Sequence, residues 1–209
     1  MMQPLQLPAF GRVLALGAHA DDLEIGCYGT LTKLMRSGAQ IDALILSGTE
    51  ERKQEQAASF AAWGWQGRTG HLSFEDGLFP SQAAEIKAAV RAFASGQVYD
   101  LVLVHHRADH HQDHALLGGL AYNLFRSCQI WEYEIPKYDV DTVQPNVFVP
   151  LSEAEMAEKV GHLMSHFACQ QTKAWYTPGT FEALGRLRGV QANATFAEAF
   201  TCRKLAVSI

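Results

Sequence analysis

Arg12-Val13-Leu14-Ala15-Leu16-Gly17-Ala18-His19-Ala20-Asp21-Asp22 is the stretch on which the fold turns. Its first five residues form a short β-favouring run, apolar after Arg12 and ended by Gly17, as a strand buried in a parallel sheet usually reads. From Leu23 through Leu31 and Leu34 to Met35 the apolar residues recur at helical spacing, and Gly38 supplies a stop. The alternation continues outward: 41–46 reads as strand, 51–63 as helix, 70–74 as a weaker strand and 81–93 as helix. Residues 101–104, Leu-Val-Leu-Val, form the clearest strand, followed by a loop rich in His and Asp, a helix over 112–125 and a strand over 129–134. Ser152 with Glu155 makes a capping box that opens a helix to 167. The stretch 136–150 reads as a long excursion, 176–192 has no clear period, and 196–207 is expected to return as an edge strand. Strands alternating with helices imply an α/β fold whose mainly parallel, doubly wound sheet carries helices on both faces. No linker or repeat interrupts residues 1–209, so one domain is expected.

Composition narrows the function. The chain has 209 residues, 48% hydrophobic and 19% charged, and a net charge of -5. That balance gives none of the basic footprint that nucleic-acid binding needs. Cys27, Cys128, Cys169 and Cys202 are widely separated, which fits reduced thiols in a cytoplasmic protein rather than a disulfide framework. Met1-Met2-Gln3-Pro4 lacks the charged and apolar regions of a signal peptide, and no apolar run approaches the roughly 20 residues of a membrane span.

Open α/β sheets bind ligands at the carboxyl ends of their strands, and two clusters of metal-type residues fall there. One is His19-Ala20-Asp21-Asp22-Leu23-Glu24. The other, residues 105–114, holds five of the chain's nine histidines. Two histidines and a carboxylate, with a position left for water, are a frequent catalytic zinc set. In the first cluster His19 and one aspartate suit ligation, while the neighbouring aspartate suits proton abstraction from water. The second cluster supplies another imidazole, with spare histidines for an oxyanion or a leaving group. His111 and Asp113 read as a pair in which the carboxylate orients the ring. An Asp-Asp pair before a helix also serves simply as its cap. His162 and His166, one helical turn apart, lack the glutamate of H-E-x-x-H and read as packing or surface residues. Gly17, Gly26 and Gly29 do not match G-x-G-x-x-G, so no dinucleotide is expected. Arg52, Arg107, Arg186, Arg188, Trp175 and Tyr176 receive no site role from sequence.

Residues 18–26 with Gly29 resemble the (P/A)-H-P-D-D-x-x-x-G-x-G-G signature of the LmbE-like, or PIG-L, family of zinc-dependent N-deacetylases. His111-Gln112-Asp113-His114 resembles that family's H-P-D-H motif, and Ser47-Gly48-Thr49-Glu50 with Arg52 and Glu55 its segment after the second strand. The likeness covers roughly the first 125 residues. It implies a Rossmann-like three-layer sandwich and removal of an N-acetyl group from an N-acetylglucosamine-type sugar or glycoconjugate. The metal ligands it implies are His19, Asp22 and His114, holding zinc or, as the alternative, ferrous iron, with Asp21 as general base. His111 would stabilise the oxyanion or assist amine departure, with Asp113 as its partner. The chain departs from the pattern at Ala20 and Gln112, where proline is usual, and at Tyr28, which is expected to narrow the pocket.

Two rival classes stand beside this one. A non-haem iron oxygenase would draw on His111, Asp113 and a distant histidine such as His166, although that chemistry usually sits in an all-β barrel. A non-catalytic sugar-binding module would keep the fold and lose the reaction. The oligomeric state, a homo-oligomer included, is open at this level.

Overall fold

The computed structural model describes residues 9–138 and 143–206. The leader reading at Met1 to Pro4, part of the 136–150 excursion and the last residue of the expected 196–207 strand lie outside them. All seven strands join one sheet in the order β3-β2-β1-β4-β5-β7-β6. They are β1 (Arg12–His19), β2 (Gln40–Ser47), β3 (Thr69–His71), β4 (Leu101–His105), β5 (Gln129–Tyr133), β6 (Val147–Leu151) and β7 (Phe196–Cys202). The first five run parallel to one another, and β7 runs antiparallel between β5 and β6. The helices are α1 (Asp22–Arg36), α2 (Glu50–Trp63), α3 (Ala83–Ala94), α4 (Gln112–Leu124), α5 (Glu153–His166) and α6 (Pro178–Ala192). This is a three-layer, Rossmann-like α/β sandwich.

The apolar runs of β1, β2 and β4 are buried on both faces because successive side chains point to opposite layers. Val13, Ala15, Ile41, Ala43 and Leu103 pack with Leu23, Cys27 and Leu31 of α1. Leu14, Leu16, Leu44, Val102 and Val104 pack on the other side with Ile86 and Val90 of α3 and Leu117 of α4. A third cluster joins Leu151 to Met156, Leu163, Tyr176 and Phe181 beneath α5 and α6.

The glycines after β1 serve packing. A Cβ on Gly26 would stand 2.3 Å from the Tyr133 ring, so α1 lies on β5 only with glycine there. At the next residue, Cys27 (φ −150°, ψ 24°), the helix kinks. Glu198 of β7 receives the amides just beyond, from Gly29 at 2.9 Å and Thr30 at 2.7 Å.

Three parts of the sequence reading are corrected. The 196–207 segment is not an edge strand: β7 pairs on both sides, and the edge belongs to β6 within the presumed excursion. Pro150 fits that edge, because proline cannot donate to a ladder. The aperiodic 176–192 stretch is α6, capped by Thr177, started by Pro178 and ended by Asn193 in the left-handed region (φ 55°). Tyr28 does not narrow the cleft at the strand ends. Its ring stacks on Trp63 at 4.3 Å on the opposite side of α1's kink.

Candidate metal centre

The strand order reverses where β1 lies between β2 and β4, and the crevice at their carboxyl ends is where such sheets place ligands. β1 ends on His19 and β4 on His105. Between His19 and α1, Asp21 adopts φ 97° and ψ −22°, a left-handed conformation costing a non-glycine residue about 1–3 kcal/mol. Its surroundings hold it there. Asp21 N–H donates to Gln56 Oε1 at 2.9 Å, and Arg52 Nη2 donates to Asp21 Oδ1 at 3.0 Å and Ala20 O at 2.6 Å. The turn therefore sends two adjacent carboxylates apart, Asp21 toward Arg52 and Asp22 into a group of imidazoles.

His19 Nδ1 stands 3.1 Å from His114 Nε2 and 3.5 Å from Asp22 Oδ2, and Asp22 Oδ1 lies 3.7 Å from His114 Nε2. Both rings are anchored by their outer nitrogens. His19 Nε2 meets Asp113 Oδ2 at 3.2 Å and Asp76 Oδ1 at 3.0 Å; His114 Nδ1 meets Asp109 Oδ2 at 2.9 Å. Lys137 Nζ, 3.0 Å from Asp109 Oδ1, shares that carboxylate. A carboxylate on the outer nitrogen favours the ring proton there and leaves the inner nitrogen a lone pair, while Lys137 Nζ also stands 2.9 Å from His114 Nδ1. At 3.1 Å the two inner nitrogens are bridged by a proton when His19 is charged, and a divalent ion taking that proton's place would meet both lone pairs. Donor atoms of a tetrahedral zinc stand roughly 3.3 Å apart, so two nitrogens and a carboxylate at these spacings fit a divalent ion. The cluster also offers the groups His19, His111, His114 and Asp22, His105, His114, each with donor atoms within 4.8 Å.

The electrostatics point the same way. Burial alone would lower the His19 pKa, but hydrogen bonds to Asp113, Asp22 and Asp76 outweigh it and hold it well above the usual value. The position thus favours positive charge even without a metal. Asp22, although buried, is kept well below the usual carboxylate range by His105 and His114. Burial pushes Asp21 up to about 7 against the pull of Arg52, poised for proton exchange near neutrality.

His111 caps α4, its Nδ1 accepting Asp113 N–H at 3.3 Å, so the neutral ring carries its proton on Nε2. The expected side-chain pair of His111 with Asp113 is not what the structure forms. Asp113 turns to His19 and is solvated by N–H groups of Gly77 (2.6 Å) and Phe79 (3.0 Å), donors that the loop after β3 brings to that side. His166 bonds the carbonyl of His162 in its own helix and stacks on that ring, so the oxygenase triad is not assembled. Sequence reasoning gave no role to Asp76, Asp109 or His105, nor to Lys173 and Trp175, which line the cleft from the turn before α6. Asp109 and His105 were within the histidine-rich loop; the others come from distant segments with no motif of their own.

Residues 14–125 match the family described as PIG-L: GlcNAc-PI de-N-acetylase. The chain belongs to that family. It is 30% identical over 167 residues to a protein named uncharacterized deacetylase YaiS of Escherichia coli (strain K12), covering 74% of this chain and 89% of that protein. Among solved structures it resembles the N,N'-diacetylchitobiose deacetylase of Pyrococcus horikoshii, bound to an inhibitor, with a TM-score of 0.72 at 19% identity over 92% and 84% of the two chains. The 4-carboxy-2-hydroxymuconate hydratase GalB of Pseudomonas putida KT2440 has a TM-score of 0.73 at 16% identity over 95% and 98%. PIG-L family membership makes this a deacetylase-type chain; a shared fold alone, as the hydratase illustrates, does not set the reaction. No helix among the described residues is long and apolar enough to cross a membrane.

Proposed function

We propose that this protein is a metal-dependent N-deacetylase that hydrolyses the acetamide of an N-acetylglucosamine-type sugar or of a glycoconjugate bearing one. The observation that carries the reading is the meeting of His19 Nδ1, His114 Nε2 and the Asp22 carboxylate beside Asp21. His19, Asp22 and His114 would hold the ion, zinc or ferrous iron. When bound, such an ion supplies Lewis acidity toward a water and the amide carbonyl.

The rest falls to the chain's own groups. Asp21, raised to about 7, takes a proton from the attacking water at Oδ2, because Oδ1 is held by Arg52. His111 Nε2–H donates to the developing oxyanion. Asp113 and Asp109 keep the His19 and His114 rings turned inward. The proton gained by Asp21 then passes to the nitrogen, releasing acetate and the free amine.

Acetate release from a panel of N-acetylated amino sugars, nucleotide sugars and glycosides tests the reading, with His19→Ala as the control. Release abolished by that substitution is the expected result. Asp21→Asn is expected to lower kcat about a hundredfold or more with metal retained; near wild-type turnover would remove Asp21 as the base. Ligand binding with no acetate from any member would favour a non-catalytic sugar-binding module. Likeness to GalB supplies one further control: hydration of an unsaturated acid with no amide hydrolysis would move the site to that chemistry.

A further inference from the structure

The turn between α5 and α6 carries Lys173 and Trp175 into the cleft that holds His19, Asp21, Asp22 and His114. It is a built turn. Lys173 N–H donates to Gln170 O at 2.9 Å, Tyr176 N–H to Lys173 O at 3.0 Å and Thr177 N–H to Trp175 O at 3.0 Å. Trp175 stands edge-on to Tyr176 at 5.4 Å and to Phe181 at 6.4 Å, both buried, which fixes the indole plane.

Three cations line this cleft, and their commitments differ. Arg52 is bound to Asp21 and the Ala20 carbonyl, and Lys137 to Asp109. Lys173 forms no ion pair among the described residues. Its Nζ rests 5.7 Å from the centre of the Trp175 ring, a contact weak enough for an anion to supersede. It is also near enough to Asp21 for its charge to lower that acid's pKa. A neutral substrate filling the cleft would strip water from this ammonium and offer nothing in return. An anionic one would give it a charge-assisted hydrogen bond, while the flat indole beside it suits the C–H face of a pyranose.

We propose that Lys173 and Trp175 form a substrate subsite for an anionic amino sugar, the ring lying against the indole and a phosphate or carboxylate meeting Lys173. The proposal rests on the deacetylase reading for the acetamide end and names the class of the remainder: an N-acetylated sugar acid or sugar phosphate.

The test compares N-acetylglucosamine, its 1-phosphate, its 6-phosphate and N-acetylmuramic acid as substrates of the metal-loaded wild type, Lys173→Met and Lys173→Arg. Binding of the corresponding free amines is measured in parallel by calorimetry, a readout that needs no turnover. The expected result is a preference of about tenfold or more for at least one anionic member, expressed in KM. Lys173→Met should reduce it to near unity and Lys173→Arg should keep most of it. Which anion is preferred separates phosphate from carboxylate and places it on the ring. Equal handling of neutral and anionic members by the wild type would overturn the subsite. So would a preference that survives Lys173→Met, which would assign it to Arg52 or Lys137. Lys173-dependent binding of anionic amines without acetate from any substrate would uphold the subsite and sink the deacetylase reading instead.

Discussion

Glu198 packs against α1 and Asp22 opens it; both carboxylates are buried, 4% and 3% exposed respectively, and their surroundings are opposite in kind. Glu198 is saturated with donors: Gly29 N–H, Thr30 N–H, the Thr30 hydroxyl at 2.6 Å and Lys159 Nζ at 2.8 Å. Nothing is left for a ligand to supply, and the group holds the kinked helix to β7. Asp22 accepts one backbone N–H, from His19 at 2.6 Å, meets His105 Nε2 at 3.0 Å, and otherwise faces the inner nitrogens of His19 and His114. That cluster offsets its carboxylates by charging His19, a positive charge that a metal ion can replace. Burial and polarity are common to both; that replaceable charge separates a site from a strut.

Breaking the strut tests the first half of this contrast and carries the largest expected effect on stability. Glu198→Ala leaves Lys159 buried without its partner and two helix amides unreceived. It should cost about 3–5 kcal/mol in urea unfolding while the surviving folded protein binds metal as before. Loss of metal affinity without loss of stability would place Glu198 in the site instead.

A smaller effect sharpens the second half. Asp109 touches the outer nitrogen of His114, so Asp109→Asn should lower metal affinity about tenfold to a hundredfold in a chelator competition with little change in fold stability. An unchanged affinity would mean that Lys137 or the ring's packing against His105 orients His114 without Asp109.

The smallest effect concerns a histidine outside the cluster. His162, pressed down to about 4 by burial and the neighbouring His166, accepts or donates one bond to the Ser59 hydroxyl at 2.8 Å. Its folded pKa lies below that of the unfolded chain, so it adds no pH dependence above about 6.5. As pH falls from there toward about 4, the unfolded state takes the proton first and stability drops, levelling off below. His162→Gln should flatten that part of the urea-midpoint profile; an unchanged slope would assign it to other groups.

Much of this was legible in sequence, for physical reasons. The β1, β2 and β4 strands announce themselves because burial on both faces demands apolar runs, interrupted in β2 by Asp42 alone. His19, Asp22 and His114 stand out because metal-type residues crowd two strand ends. α6 was hidden because its buried face is not apolar: it holds Gly185, Gly189 and Arg188 beside Phe181. A Cβ on Gly189 would sit 2.5 Å from the Thr195 carbonyl, so close packing on β7 replaces hydrophobic periodicity there. Arg188 is paired bidentately with Glu134, at 2.6 Å for each bond, and not with a ligand. β6 was masked by Pro150 in a five-residue strand. Asp76, Lys173 and Trp175 could not be found from spacing, since only the end of β3 and the α5–α6 turn bring them to the cleft.

The most direct test of the central claim is the metal content of the purified protein, by elemental analysis after reconstitution with excess zinc and desalting, for the wild type and His114→Ala. The expected result is near-stoichiometric metal in the wild type and its loss in the variant. No retained metal in the wild type, or equal metal in both proteins, would contradict the assignment of His19, Asp22 and His114 as a cation site.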